Sequence, residues 1–333
     1  MQQDNMNNNQ RKSNSLAWLF LIIIGVYLVL MLVNTILNTK GLSMPTYLAL
    51  IVSEALILVP GIVYVLVNKL DLRKDLGFRK IKVGTIFLSI LLAFLTTPVA
   101  SFVNVLTQFF VSNTMTQASD ALLDGSYLAI LFLTGFYGPF CEEVVFRGIL
   151  HEGYDRISSP MKAVLISALL FGLMHLNVNQ TCYAFVLGVI FAIVNKASGS
   201  VYTSMIIHTC INTVNILMLI VAQWAASFVG EGASVAESAE AMRQSTSTLM
   251  VIAGVYFVLA LGGIAISIPV VIFIAKHEGH LDELKSLFIK KKIEQEPSEN
   301  TKVLMNVPMI ISVVLCLVLI FALDAILVAL GLA

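Results

Sequence analysis

Two adjacent carboxylic acids and an arginine, Glu142, Glu143 and Arg147, lie within one strongly apolar stretch of the sequence. Ionisable side chains are costly inside a membrane helix, so each of them is a candidate for a functional site. Glu143 and Arg147 are four residues apart and share a helix face, where they can form an ion pair. Glu142 points away from that face and has no such partner on its own helix. It is therefore the candidate general base, whereas the pair either belongs to the site or only holds helices together.

Two of the five histidines lie in other apolar stretches. His175 ends the run Phe-Gly-Leu-Met-His at residues 171–175, and Asn212 follows His208 by four residues. Counted from the predicted cytoplasmic helix ends at about 1.5 Å per residue, Glu142 and His175 lie about 21 Å deep. His208 and Asn212 lie about 14 and 20 Å deep on the same scale. We therefore expect these four side chains to meet in one layer within the membrane.

This set of side chains is compatible with two ways of activating water. Glu142, His175 and His208 are suitable zinc ligands, and a water in the open fourth position would attack a carbonyl group. Alternatively, Glu142 and His175 polarise the water without a metal, while His208 and Asn212 donate hydrogen bonds to the oxyanion. The sequence leaves both alternatives open, so a divalent metal such as zinc is neither required nor excluded.

The composition indicates the elements that must position these residues. Hydrophobic residues make up 58% of the 333, charged residues only 12%, and the mean hydropathy is +0.90. A soluble domain averages about 45–50% apolar and about 25% charged residues. The sequence therefore predicts an all-α, polytopic bundle of about nine membrane helices with the active site inside it. The predicted spans are about 16–37, 47–67, 83–111, 127–150, 161–176, 183–194, 201–224, 249–275 and 303–330.

The basic residues predict the orientation of this bundle. If the amino terminus is cytoplasmic, 17 of the 20 Lys and Arg residues lie on the inner side, and only Lys40 and Arg243 lie outside. This distribution follows the positive-inside rule and places the carboxy terminus outside the cell membrane. The net charge is zero, so no basic surplus argues for nucleic acid. The lipid bilayer is thus the one partner that the composition predicts.

The remaining polar residues of the apolar stretches are weaker candidates. Glu54 and Asp324 lie nearer the outer ends of their predicted spans, where we expect their side chains to reach the interface. The four cysteines form no C-x-x-C pair, so they are interpreted as packing residues and not as disulfide or metal ligands.

The three motifs together resemble the CPBP intramembrane proteases, also called the ABI or type II CAAX endopeptidase family. The family pattern is E-E-x-x-x-R, then F-x-x-x-H, then H-x-x-x-N on successive membrane helices. Here it is formed by Glu142-Glu143 with Arg147, Phe171 with His175, and His208 with Asn212. The resemblance covers about residues 127–220, and Asp-Leu-Gly-Phe at residues 75–78 is also similar to the family.

The resemblance implies an endopeptidase that cuts a membrane-associated peptide or protein, as in CAAX-type, bacteriocin or signalling-peptide processing. Glu142 and His175 would activate the water, and His208 and Asn212 would hold the oxyanion or complete a metal site. Glu143 and Arg147 would tune and support the site. The family is commonly described as metalloproteases. Substrate, prenylation of the substrate and oligomeric state are not predicted.

On this basis the chain divides into four parts. They are a polar cytoplasmic amino terminus at 1–15; membrane helices at 16–125 with a basic cytoplasmic loop at 68–82; a catalytic core at 126–224; and membrane helices at 225–333 with a charged cytoplasmic loop at 276–302, which includes an amphipathic helix around 281–293.

Two other functions are alternatives to the peptidase. One is a catalytically idle scaffold or bacteriocin self-immunity protein, against which the intact motifs argue. The other is a transporter that uses the acidic pair as an ion site. Transporters commonly contain inverted repeats and broken helices, and the sequence shows neither.

Overall fold

The computed structural model describes the protein at residues 2–42, 44–229, 237, 242–243, 245–288 and 304–329. All regular secondary structure in these ranges is helical. The helices are α1 (Gln2–Thr39), α2 (Thr46–Val67), α3 (Val83–Gln108), α4 (Thr114–Gln117), α5 (Ser119–Leu123), α6 (Tyr127–Asp155), α7 (Pro160–Leu173), α8 (Val178–Ser198), α9 (Val201–Val229), α10 (Thr246–Glu278), α11 (Leu281–Ser286) and α12 (Val307–Ala329).

Seven of the described helices are long and apolar enough to cross a membrane, namely α1, α2, α3, α6, α8, α9 and α10. The helix α7 and the stretch Val307–Ala322 of α12 are shorter apolar helices. Each of the nine predicted apolar runs overlaps one of these helices, and the prediction of a polytopic helical membrane protein is confirmed. Within the segment 281–293, where an amphipathic helix is predicted, α11 ends at Ser286 and residues 287–288 form a turn; residues 289–293 lie outside the described residues.

The helices α7 and α8 form a close antiparallel pair that carries part of the predicted site. A Cβ atom at Gly172 would lie 2.7 Å from the backbone oxygen of Thr181, and one at Gly188 would lie 2.9 Å from the Cα atom of Ala168. Small residues permit such close approach of two membrane helices. The turn between the two helices, residues 174–177, is therefore held in a fixed place beside α6 and α9.

The loop at residues 75–78 connects the inner ends of the site helices. Gly77 adopts a φ of +73°, and its carbonyl oxygen accepts a hydrogen bond of 3.0 Å from the backbone N–H of Val201 at the start of α9. Arg156, just after α6, forms an ion pair of 2.7 Å with Asp75. The loop thus joins α6 to α9 at their predicted cytoplasmic ends.

The first and last described helices pack against each other. Residues of α1 from Leu16 to Ile24 share one buried cluster with Met309 and Cys316 of α12. Just before α12, the side-chain amide of Asn306 donates a hydrogen bond of 2.9 Å to the hydroxyl group of Ser13. All four cysteines are free; Cys141 and Cys316 are buried, and Cys182 and Cys210 are partly buried.

Candidate active site

The helix that carries the acidic pair is not a regular α-helix. Within α6, residues Leu133–Tyr137 and Val144–His151 form π-helical turns, and Gly138–Glu143 between them is α-helical. Turns of this kind are rare and occur frequently at functional sites. Pro139 lies at the first junction and has no N–H group to donate to the preceding turn. The two wide turns change the directions of the side chains around Glu142 and Glu143.

Glu143 lies at the centre of a buried polar network. One carboxylate oxygen, Oε1, lies 3.3 Å from Nη1 of Arg147 and 3.0 Å from Nδ1 of His208. The other, Oε2, accepts a hydrogen bond of 2.5 Å from the hydroxyl group of Ser204. The side chains of Glu143 and Arg147 are 0% and 1% exposed. The pair expected from the spacing is therefore formed, and it also joins α6 to α9.

The guanidinium group of Arg147 lies against aromatic rings of two further helices. Its central carbon is 4.0 Å from the ring centroid of Phe171 on α7 and 5.0 Å from that of Phe191 on α8. Cation–π contacts of this kind stabilise a charge that is removed from water. The phenylalanine of the F-x-x-x-H motif is thus the surface on which the arginine of the first motif rests.

His208 lies between the two carboxylates. Its Nδ1 faces Glu143 at 3.0 Å, and its Nε2 faces Oε2 of Glu142 at 3.5 Å. Because Nδ1 faces a carboxylate, this nitrogen carries the hydrogen in the neutral ring. Nε2 then has a free lone pair and becomes a donor only when the ring is protonated. The distance to Glu142 is too long for a strong direct hydrogen bond.

His175 lies just after the end of α7 and not within a helix, which corrects the prediction that the fifth span includes it. Its Nδ1 donates a hydrogen bond of 3.0 Å to the carbonyl oxygen of Phe171, which leaves the lone pair on Nε2. The next residue, Leu176, has a φ of +53°, a conformation that costs a non-glycine residue about 1–2 kcal/mol. Asn177 closes the turn with a hydrogen bond of 2.8 Å from its side-chain amide to the carbonyl oxygen of His175.

Four of the predicted site residues line one cavity of about 630 Å³: Glu142, His175, His208 and Asn212. They come from α6, the turn after α7, and α9. The amide of Asn212 donates a hydrogen bond of 3.3 Å to the carbonyl oxygen of Thr134, in the first π turn of α6. Glu143 and Arg147 are not among the lining residues. They contact His208 and Phe171, which do line the cavity. The convergence expected from the depth estimate is therefore present in the structure.

The two histidines have the hydrogen bonds of zinc ligands, but the three candidate ligands are not arranged around one point. Each histidine donates from Nδ1 to a carboxylate or a carbonyl group, as zinc-binding histidines usually do. However, among the described residues no group of three or more His, Cys, Asp and Glu side chains is arranged so that it could hold a metal ion. Glu142, His175 and His208 as placed do not fit a three-ligand site, and the mechanism below uses no metal.

One further acidic residue of this cavity was not predicted from the sequence. Glu54 on α2 lines it, and its Oε2 is buried without a hydrogen-bond partner among the described residues. The expectation that Glu54 reaches the membrane interface is therefore wrong. The signal was an acidic side chain on an apolar helix, the same signal that selected Glu142. The side chain of Asp324, the other acid of that kind, lies outside the described residues.

Residues 124–214 match a protein-family model described as type II CAAX prenyl endopeptidase, Rce1-like. The matched segment contains all three motifs, from Glu142 to Asn212, and the resemblance found in the sequence is thereby confirmed. No curated protein and no solved structure matches the chain.

Proposed function

Because residues 124–214 form a domain of the CPBP/CAAX protease family, we propose that this protein is an intramembrane endopeptidase that hydrolyses a peptide bond of a membrane-associated peptide or protein. The observation that carries the proposal is the cavity in which Glu142, His175, His208 and Asn212 meet. A carboxylate, two imidazoles and a carboxamide around one space supply a base, a water acceptor and oxyanion donors.

In the proposed reaction Glu142 accepts a proton from a water molecule in the cavity. The Nε2 lone pair of His175 accepts a hydrogen bond from the same water and orients it. The water oxygen attacks the carbonyl carbon of the scissile peptide, and the carbonyl oxygen becomes an oxyanion. The C–N bond then breaks, and Glu142 returns the proton to the leaving amine. The products are a carboxylate and an amine, so the atoms of one water are accounted for.

Two donors are available for the oxyanion. The amide of Asn212 uses one N–H for the carbonyl group of Thr134, and its second N–H has no partner among the described residues. When the ring of His208 is protonated, its Nε2 also donates, while Glu143 accepts the hydrogen bond from Nδ1. Glu143 and Arg147 are positioning residues in this scheme, because they act through His208. Such preorganised donors contribute most of the rate enhancement in many hydrolases.

The decisive experiment compares the membrane peptides of cells that express the wild-type protein or Glu142→Gln at equal levels. We expect an uncut precursor to accumulate with Glu142→Gln. The control Glu283→Gln makes the same change at an exposed position of α11, and its cells should process the precursor as the wild type does. Identical peptide profiles for wild type and Glu142→Gln would contradict the proposal. If the cellular phenotype persists without cleavage, an idle scaffold is the better description. Metal analysis of the same purified proteins tests the metal-free scheme.

A further inference from the structure

The cavity carries acidic groups without balancing basic ones. Its described lining includes two carboxylates, Glu54 and Glu142, and two histidines, but no Lys or Arg. Arg147, which belongs to the first motif, does not line the cavity and is already paired with Glu143. The proposed reaction uses Glu142 and both histidines. Glu54 is therefore an acidic group that faces the reaction space and has no role in the reaction.

The surroundings of Glu54 differ from those of Glu143 and Asp155, two acids that have cationic partners. Glu143 has Arg147, and Asp155 has Lys196 at 2.5 Å. Glu54 has no ion pair among the described residues, and its Oε2 is buried without a hydrogen bond. Burying a carboxylate oxygen without a partner is unfavourable, and natural proteins rarely do so without a functional reason. An acid that only tied α2 to its neighbours would need a partner on one of them.

The position of Glu54 places its carboxyl group beside the reacting groups. A Cβ atom at Gly138 would lie 3.5 Å from the carboxyl carbon of Glu54, so this group packs against α6 one turn before Glu142. Tyr27 and Ser53 line the same cavity. A substrate whose scissile bond is next to Glu142 therefore brings a neighbouring group close to Glu54.

We propose that Glu54 binds a cationic group of the substrate, either the side chain of a Lys or Arg near the scissile bond or a free amino terminus. This inference rests on the proposed function and specifies its substrate class. A bound ammonium or guanidinium group supplies the missing partner of Oε2 and offsets the negative charge of the cavity. A neutral analogue leaves that oxygen buried and unpaired, which is the basis of strong discrimination between substrates.

The test uses the purified full-length protein and pairs of internally quenched peptides. In each pair one position near the scissile bond is Lys or norleucine, and the amino terminus is free or acetylated. We expect the ratio of kcat/KM for the cationic over the neutral peptide to fall by about 10- to 100-fold in Glu54→Gln. The matched control Asp120→Asn changes an exposed acid outside the cavity and should keep the ratio.

The two peptide variables distinguish the sources of the cation. If acetylation of the amino terminus lowers kcat/KM and replacement of Lys by norleucine does not, the bound group is the terminal amine. If only the replacement by norleucine lowers kcat/KM, the bound group is a basic side chain. An unchanged ratio in Glu54→Gln overturns the proposal, because the acid then makes no difference between cationic and neutral substrates.

A binding measurement separates this proposal from the proposed function. In a His175→Ala background, the anisotropy of a fluorescent Lys-containing peptide reports binding without cleavage, and adding Glu54→Gln should weaken it by a similar factor. Binding that depends on Glu54, together with no cleavage by the wild type, supports the cation site and contradicts the peptidase. Cleavage by the wild type without a preference for the cationic peptide supports the peptidase and contradicts the cation site. Failure of the wild type to prefer the cationic peptide in either assay overturns the cation site.

Discussion

At the scale of single residues, Glu143 combines two tasks in one carboxylate. It balances the buried charge of Arg147, and it holds Nδ1 of His208. The first task concerns the stability of the fold, because a buried charge that loses its partner is strongly unfavourable. The second concerns the proposed reaction, in which the ring of His208 acts in one tautomer. Substitutions can separate the two tasks.

We expect Glu143→Gln and Arg147→Met each to lower the free energy of unfolding by about 3–5 kcal/mol, since each leaves one buried charge unpaired. The double substitution should recover much of this loss, because both charges are then absent. Cleavage should nevertheless stay at least about 10- to 100-fold below wild type in the double variant, because no carboxylate holds His208. Thermal unfolding in detergent and peptide cleavage measure the two effects on the same samples.

Recovery of cleavage together with stability in the double variant would show that the pair only holds helices together. That is the alternative left open by the spacing of Glu143 and Arg147 alone. The control Lys285→Met, at an exposed ion pair on α11, should change neither measurement appreciably.

The sequence predicted which side chains share the cavity better than it predicted their geometry. Residue type and helical spacing were sufficient to select Glu142, His175, His208 and Asn212, which line one cavity, because ionisable groups in apolar helices are few. The contact of Ser204 with Glu143 and the cavity-facing position of Glu54 were not predictable. Both depend on which faces of different helices meet, and a single sequence contains no direct measure of that.

At the scale of elements, the site depends on how closely α7 approaches α8. Gly172 lies in the motif that ends at His175, and its Cα faces the backbone of α8. A side chain at this position would meet backbone atoms, which cannot rotate away. The turn that carries His175 begins two residues later, so a change in the spacing of these helices moves the histidine.

Gly172→Ala should therefore lower both stability and cleavage. The added methyl group would lie 2.7 Å from the backbone oxygen of Thr181, and overpacking of this kind costs about 1–3 kcal/mol. Gly254→Ala in α10 is the matched control, since nothing lies within 4 Å of the position of its Cβ atom. We expect this control to be as stable as wild type and fully active. Equal behaviour of the two variants in thermal unfolding and cleavage would show that the close approach is unimportant.

Hydrophobic runs predicted the helices but not their irregularities. Each predicted run overlaps one helix, because about 20 apolar residues in lipid have to satisfy their backbone hydrogen bonds internally. The two π turns of α6 were not predictable, since a wide turn changes the register without changing the composition. The early end of α7 before His175 was missed for the same reason.

At the scale of the whole molecule, we propose the orientation given by the basic residues, with the amino terminus and the 68–82 loop in the cytoplasm. In this orientation the connection between α3 and α6, which contributes Asn113 and Thr116 to the cavity wall, lies on the outer side. A substrate that reaches the cavity beside this connection would enter from the outer half of the membrane.

Single cysteines test this orientation in a background in which the four native cysteines are replaced by alanine. A membrane-impermeant maleimide added to intact cells should label Asp120→Cys, and it should label Arg73→Cys only after permeabilisation. Both positions are exposed, and they lie beyond opposite ends of the membrane helix α3. The reverse pattern would invert the topology. Labelling of neither residue in permeabilised cells would contradict their exposure.

The packing of α1 against α12 has a consequence for biosynthesis. Tyr27 of α1 lines the cavity, and α1 shares a buried cluster with α12, about 280 residues later in the chain. At about 5–20 residues per second, roughly 15–55 s pass between the synthesis of these two helices. During that interval α2 is available to pack against α1, whereas the side of α1 that packs against α12 has no partner yet. We therefore expect the part of the cavity wall that contains Tyr27 to reach its final position only after α12 has been synthesised.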